Sequence, residues 1–209
     1  MPTVYAFAGK RGAGKSTATS VLVDEMGFTD AKFADPLKNM LRAFYRTCGV
    51  EDAVIEEKIE GSLKETPCEW LRGKTPRHAM QTLGTEWRNL ISEDLWAVIL
   101  EKRIKRGDYG DKVAVSDLRF PGHEEEALRN LGAHVYRITR PESEKDDEAG
   151  KHSSETGIDK LKVNATLRNT GSIEDLKDYI RGLVEVNEVL TETGVIEAII
   201  AAAKGRDVS

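Results

Sequence analysis

The stretch AFAGKRGAGKST, residues 6–17, concentrates glycines, basic side chains and hydroxyls directly after an apolar run. Its members Gly9, Gly14, Lys15 and Ser16 fit the pattern G-x-x-x-x-G-K-[ST]. In such a loop, backbone N–H groups surround a phosphate, the lysine reaches the β- and γ-phosphates, and the hydroxyl binds Mg²⁺. Glycine is needed where a Cβ would block the close approach of the phosphate. The predicted nucleotide-binding residues are Arg11, Gly12, Ala13, Gly14, Lys15, Ser16 and Thr17.

The alternative interpretation of this stretch is a glycine-rich turn whose serine caps a helix. The strand-like run TVYAFA before it and the helix-like run STATSVLVDEMG after it favour nucleotide binding, because the motif requires this context. Lys15 is therefore predicted to be catalytic and Ser16 to be a metal ligand. A GTPase would also need a base-reading NKxD motif, which the sequence lacks.

A second acid, Asp117, lies at the carboxyl end of the strand-like run VAVSD. A sheet that carries a glycine loop supplies a second acid to the Mg²⁺ ligands at this position. Arg119 lies two residues further along, so in an extended chain both side chains point to the same side. We predict that both residues are catalytic and that Asp117 binds the metal. The alternative is a turn in which the two side chains only pair with each other.

The segment RHAMQTLGTEWRNLI, residues 77–91, has the spacing of an amphipathic helix. On an ideal helix its two arginines, its glutamine and its glycine fall within a window of roughly 60°. This combination suits a ligand that carries a phosphate and a base, because arginine binds phosphate through two parallel N–H groups. The alternative is a solvated face with an incidental glycine. The substrate-binding residues predicted here are Arg77, Gln81 and Arg88.

An apolar stripe lies beside this polar face and is expected to be buried; it contains Met80, Leu83, Trp87, Leu90 and Ile91. Trp87 is also a candidate substrate contact, although its place in the apolar stripe favours a core position over stacking against a ligand.

Further candidates lie in the helix-like segment DPLKNMLRAFYRTCG. Asp35 precedes a proline, which is typical of a helix cap. Capping and substrate contact are compatible, since a helix N-terminus at the sheet edge can bind a phosphate. Lys38 and Arg42 follow at one-turn spacing, so all three are candidate substrate contacts.

Strand-like and helix-like runs alternate along the chain, which predicts an α/β fold of the P-loop NTPase class, with a parallel sheet flanked by helices. In such a sheet the ligand lies at the carboxyl ends of the strands. The predicted strands cover residues 3–8, 31–34, 112–119, 134–140 and 162–169. The polar segment 141–160 follows Arg140 and contains His152, a residue of open role. We expect a lid that closes over the phosphates, with an acidic surface loop as the alternative.

Composition excludes several classes of protein. The chain of 209 residues is predicted to form one domain with a subdomain, with two small domains as the alternative. Its net charge of −5 disfavours binding to a nucleic-acid polymer. Its two cysteines lack the spacing of a zinc site and fit a reducing cytoplasm. No apolar run is long enough to span a membrane and no secretory signal is present, so no membrane association is expected.

Several motifs occur in an order that resembles the bacteriophage deoxynucleoside monophosphate kinases. They are GKRGAGKST, FADPLK, MQTLGTEWR, DLRFPGHEEEALRNLGAHVYRITRP, HSSE and the NTGSIEDL stretch. The resemblance covers roughly residues 3–185 and implies a nucleoside-monophosphate-kinase-like fold. It also implies ATP and Mg²⁺ as phosphoryl donor and a deoxynucleoside monophosphate as acceptor. Asn169 and Gly171 would then lie near the adenine.

Within this interpretation the chain is a single P-loop kinase domain, residues 1–209, that works as a monomer or homodimer. Residues 35–110 form a helical monophosphate-binding region, residues 141–160 the lid and residues 187–209 a C-terminal extension of open role. The expected location is the cytoplasm, that of the host if a phage encodes the protein.

A monophosphate acceptor needs fixed positive charge more than a catalytic base, since its attacking oxygen is already ionised at neutral pH. Arg140 is accordingly predicted to be catalytic, beside Lys15 and Arg119. The alternatives are another small-molecule kinase, such as one resembling dephospho-coenzyme A kinase, and a nucleotide-binding module without transfer activity. The accepted bases and the treatment of ribonucleotides stay open.

Overall fold

The computed structural model describes residues 2–141 and 157–192. Five parallel strands form one sheet in the order β2-β3-β1-β4-β5. The strands are β1 (Thr3–Ala8), β2 (Thr29–Ala31), β3 (Lys112–Val115), β4 (His134–Thr139) and β5 (Ala165–Arg168). The sheet confirms the predicted α/β class, and each predicted strand has a counterpart.

Helices cover the sheet and form a separate group between β2 and β3. They are α1 (Lys15–Ser20), α2 (Asp35–Thr47), α3 (Asp52–Ile59), α4 (Pro76–Thr82), α5 (Arg88–Ile91), α6 (Leu95–Arg106), α7 (His123–Asn130) and α8 (Ile173–Glu192). Two π-helical turns, Val21–Glu25 and Leu83–Trp87, continue α1 and join α4 to α5. Short 3₁₀ turns lie at Ser62–Glu65, Glu69–Leu71 and Ile158–Lys160.

The alternation of side chains along β1 separates two cores. Val4 and Ala6 face a cluster that includes Leu100 of α6, while Tyr5 faces a cluster that includes Ile180 of α8. Burial on both faces explains why β1 is apolar throughout, as expected for a central parallel strand. A third cluster belongs to the helices between β2 and β3; it contains Leu41, Tyr45, Ile55, Ile59 and Cys68.

The start of α2 differs from the prediction. The second strand was expected at residues 31–34, but β2 ends at Ala31. Phe33 and Ala34 donate their N–H groups to the carboxylate of Asp117 instead of to a neighbouring strand. The prediction of Asp35 as the helix cap was also wrong, because Ala34 occupies that position. The Asp35 carboxylate accepts the N–H of Lys32 at 3.0 Å and closes the turn that leads into the helix.

Ser172 caps α8, since its hydroxyl accepts the N–H of Asp175 at 3.1 Å. In return the Asp175 carboxylate accepts the N–H of Ser172 at 2.8 Å. The predicted lid segment and the tail lie largely outside the described residues, and so does His152. Within the described ranges, none of the helices combines the length and apolar character needed to span a bilayer.

The glycine loop makes a prediction for stability. Gly9 has φ +153°, and a Cβ there would overlap the carbonyl oxygen of Ile138. Gly12 has φ +80°, and a Cβ there would meet nothing within 4 Å. Gly12→Ala should cost about 1–2 kcal/mol of unfolding free energy because of backbone strain alone. Gly9→Ala should cost about 1–3 kcal/mol more because of the added overlap. Urea denaturation of both variants measures the difference, and equal losses would contradict the close contact between the loop and β4.

Candidate functional site

The glycine loop connects the carboxyl end of β1 to the start of α1. Gly14 has φ +115° directly before the helix, a conformation that favours glycine. The ammonium group of Lys15 folds back over the loop and donates to the carbonyls of Gly9 and Lys10, the second at 2.9 Å. The structure therefore places the predicted phosphate-binding lysine directly over the loop that it is predicted to serve.

Asn169 supports the same loop from the end of β5. Its side-chain amide is buried and donates to the carbonyl of Ala13 at 2.9 Å. A Cβ on Gly14 would lie 2.8 Å from the amide nitrogen of Asn169, so the two residues pack tightly. Gly171 lies two residues further, against the Asp175 side chain. This geometry shows contact of Asn169 with the loop, while its predicted contact with adenine stays a prediction.

Asp117 lies where the sequence predicts an acid, just beyond the carboxyl end of β3. One carboxylate oxygen accepts the N–H of Phe33 at 2.9 Å and the other accepts that of Ala34 at 3.0 Å. Burial raises the pKa of Asp117 to about 6, although the two N–H groups and the nearby Arg119 favour its ionised form. An ionised carboxylate has about four acceptor positions, so both oxygens can still bind a further cation.

A cavity of about 790 Å³ opens beside Asp117. It lies between α1 with its π-helical turn, the ends of β2 and β3, and the helices between these strands. Seven of the predicted site residues line it: Ser16, Lys38, Arg77, Gln81, Arg88, Asp117 and Arg119. Residues predicted from four separate stretches of the sequence thus share one space.

The cavity carries both charge and apolar surface. Its basic side chains are Lys32, Lys38, Lys64, Arg77, Arg88 and Arg119, and its acids are Asp24, Asp30, Asp117 and Glu124. Apolar walls come from Phe33, Leu37, Met80, Trp96 and Phe120. A site of this kind suits a ligand with an anionic end and a flat, largely apolar body.

Ion pairs hold several of the basic side chains in place. Lys38 contacts Glu60 at 2.7 Å, and Arg77 forms an ion pair with Glu65. The guanidinium carbon of Arg88 lies 5.1 Å from the centroid of the Phe120 ring, a cation–π distance. These contacts keep like charges of the cavity apart before any anion enters.

Lys15 and the predicted nucleotide-binding residues other than Ser16 are absent from the cavity lining, and four further predicted residues also lie outside it. Arg42 makes two hydrogen bonds to Glu56 of α3, at 2.7 and 2.8 Å. Asp35 closes the turn before α2, and Arg140 follows β4 on the other side of β1. Trp87 is 41% exposed and lines none of the cavity. None of the four is brought to the cavity in this structure.

The prediction of a buried apolar stripe along residues 77–91 was wrong beyond Leu83. Trp87 is exposed, and Leu90 and Ile91 are 82% and 60% exposed. The π-helical turn Leu83–Trp87 accommodates one extra residue, so the 3.6-residue period assumed for an ideal helix does not continue through it. The indole N–H of Trp96 donates to the Gly84 carbonyl within this turn at 3.0 Å. The glycine predicted as a gap for a ligand therefore accepts a hydrogen bond from α6.

Several cavity residues were missed. Asp30 and Lys32 lie at the end of β2 and pair at 2.7 Å, and Asp30 also accepts the hydroxyl of Ser116 at 2.8 Å. Their position at the carboxyl end of a strand could have identified them from the sequence as candidate site residues. Glu124 is hidden in the acidic run EEE of α7, where nothing distinguishes it from its neighbours. Burial raises its pKa to about 7, against the effect of two backbone N–H groups.

The sequence model of the deoxynucleotide monophosphate kinase family matches residues 55–180. A protein of Acanthamoeba polyphaga mimivirus named as a deoxynucleotide monophosphate kinase is 32% identical over 194 residues, covering 85% of this chain and 93% of its own length. The chain belongs to the deoxynucleotide monophosphate kinase family. This confirms the predicted family, the enzyme class of phosphotransferase and deoxynucleoside monophosphates as the substrate class.

Two further comparisons are more limited. The deoxynucleoside-5'-monophosphate kinase of Escherichia phage T5 is 33% identical over 101 residues, which is 46% of this chain and 39% of the phage protein. A dephospho-CoA kinase from Campylobacter jejuni superposes over 88% of this chain and 96% of its own, with 17% identity and a TM-score of 0.48. At that score the structural likeness adds nothing to the assignment.

The contact between Asn169 and the loop can be tested with nucleotide binding. Asn169→Ala removes the hydrogen bond to Ala13 and should cost about 1–2 kcal/mol of unfolding free energy. Because Ala13 lies in the predicted phosphate-binding loop, the affinity for ATP should fall as well. Asn130→Ala, at an exposed position of α7, is the matched control. Calorimetric ATP titration checks the prediction, and wild-type affinity in Asn169→Ala would show that the loop does not depend on this support.

Proposed function

We propose that the cavity holds a deoxynucleoside monophosphate against ATP bound at the glycine loop, and that the γ-phosphoryl group is transferred between them within it. The observation that carries this proposal is the shared lining. Ser16 comes from the first turn of α1, directly after the glycine loop, Asp117 from the end of β3 and Arg88 from the helical region. All three line one space. ATP is the expected donor because the loop pattern and the kinase family both point to a nucleoside triphosphate.

The main physical difficulty of this reaction is the repulsion between two polyanions, and the basic side chains offset it. Fixed cations aimed at the transferring group stabilise the charge that spreads over it in the transition state. In the proposal, Arg119 contacts the transferred phosphoryl group, and Lys15 turns from the loop carbonyls to the β- and γ-phosphates. Arg77 and Arg88 hold the phosphate of the acceptor.

The donor set fits Mg²⁺. Ser16 offers a hydroxyl and Asp117 a carboxylate into the same cavity, and Mg²⁺ in nucleotide sites binds through few protein oxygens, with water and phosphate as its other ligands. Among the described residues, no three acidic, histidine or cysteine side chains form a metal cluster, and this mode of binding needs none. When bound, Mg²⁺ would neutralise phosphate charge and polarise the γ-phosphoryl group.

Gln81 and the apolar walls suit the acceptor's base. An amide can donate and accept a hydrogen bond, so Gln81 can pair with different base edges. The negative net charge continues to argue against a nucleic-acid polymer as substrate. The phage T5 relative supports, as part of the proposal, a reaction in the cytoplasm of an infected host.

Lys15→Ala tests the transfer reaction itself. Loss of the ammonium group should lower kcat by about 100-fold or more, since it is expected to stabilise charge in the transition state. The measurement is coupled ADP release with ATP and each of the four common deoxynucleoside monophosphates. Lys105→Ala is the control, because Lys105 is exposed and pairs with Glu101 on α6. No turnover of the unaltered protein with any acceptor would remove the proposal and leave a module that only binds nucleotides.

Arg77→Ala tests the acceptor side of the cavity. Removal of a guanidinium that binds the acceptor's phosphate should raise KM for the monophosphate about 10-fold or more, with KM for ATP little changed. Arg46→Ala is the matched control, because Arg46 also forms a surface ion pair, with Asp52, but lies outside the cavity lining. Equal effects on both KM values would place Arg77 between the two nucleotides rather than at the acceptor.

A further inference from the structure

Glu124 is a cavity acid whose hydrogen bonds are made to backbone. The same carboxylate oxygen, Oε2, accepts the N–H of Arg119 at 2.9 Å and that of Phe120 at 3.0 Å. Both donors lie beyond the last pair of the β1–β3 ladder, Ala6 with Val115. The segment between β3 and α7 is therefore held here by hydrogen bonds to one side chain and not by hydrogen bonds of the sheet.

The two residues held in this way both line the cavity. Arg119 is one of its basic side chains, and the Phe120 ring lies under the guanidinium of Arg88. The carboxylate of Glu124 thus fixes the backbone of Arg119. It also fixes the backbone of Phe120, whose ring contacts the guanidinium of Arg88. These arginines reach the cavity from distant parts of the chain, one after β3 and the other in α5.

We propose that Glu124 is a positioning residue of the kinase, which sets the Arg119–Phe120 backbone so that Arg119 and Arg88 meet the phosphates in a reactive arrangement. This inference rests on the proposed function, because it takes its importance from the roles given there to the two arginines. Glu124 itself need not touch either nucleotide. What matters is the reach of its side chain and its ability to accept two N–H groups.

The neighbouring Glu125 provides a matched comparison. It lies on the same helix, is 8% exposed and pairs with Arg129 at 2.7 Å. It does not line the cavity. A general loss of helix stability should therefore appear in variants of either residue, whereas a loss of positioning should appear in those of Glu124 alone.

The experiment compares Glu124→Gln with Glu124→Asp in steady-state kinetics with ATP and deoxynucleoside monophosphates. Glutamine loses the charge but keeps the length and an acceptor oxygen. Aspartate keeps the charge but is one methylene too short to reach both N–H groups. We expect Glu124→Asp to lower kcat by about 10- to 100-fold, because small displacements of catalytic groups are costly. Glu124→Gln should stay within about 3-fold of the unaltered enzyme, since the backbone bonds remain.

Glu125→Gln and Glu125→Asp are the controls and should leave kcat unchanged. Thermal unfolding of all variants identifies a working temperature at which each is folded. The reverse order, with Glu124→Gln slower than Glu124→Asp, would overturn the proposal, because the charge and not the reach would then matter. Equal loss in the Glu125 variants would overturn it too.

A double variant separates this inference from the proposed function. If Glu124 acts through Arg119, adding Glu124→Asp to Arg119→Met should lower kcat by less than about 3-fold, because the two changes remove the same interaction. Multiplied losses would overturn the positioning role. Full activity of Arg119→Met alone would instead contradict the catalytic assignment of Arg119, whatever the Glu124 variants show.

Discussion

The site depends on a half-buried carboxylate that joins two strands at their carboxyl ends. Asp117, beyond β3, accepts two N–H groups from the chain that leaves β2. A carboxylate removed from water is tolerated only when donors replace the lost hydration, and burial still raises its pKa to about 6. Moving the segment of Phe33 and Ala34 would break both bonds at once. This segment ends β2 early, starts α2 and so sets one wall of the cavity.

The helices between β2 and β3 form another wall of the cavity. This wall must hold cations near one another before an anion binds. Its own apolar cluster, around Tyr45 and Ile59, gives it a packed base independent of the sheet. Glu60 accepts contacts from Lys38 at 2.7 Å and from Lys64 at 3.5 Å. Exposed pairs of this kind add little stability. Their consequence here is an arrangement of basic side chains that does not depend on a bound phosphate.

Local patterns explain which parts could be predicted from the sequence. The glycine loop depends on residues close in the chain, so their spacing was sufficient. The helical phase beyond Leu83 was not predictable from spacing, because a π-helical turn changes the period and its Gly84 carbonyl bonds to distant Trp96. Glu124 was missed for a similar reason, since its partners are backbone groups of an irregular turn. Propensity and periodicity carry no information about such contacts.

The contacts made by the cavity acids explain why the site suits a phosphate acceptor better than a hydroxyl acceptor. A hydroxyl must lose a proton to a base as it attacks, whereas a monophosphate presents an oxygen already ionised at neutral pH. Of the four acids in the lining, Asp117 and Glu124 accept backbone N–H groups and Asp30 pairs with Lys32. Only Asp24 has no such contact in the described part of the chain, and it lies on the π-helical turn after α1. The acids thus hold the walls, and basic side chains outnumber acidic ones in the lining by six to four.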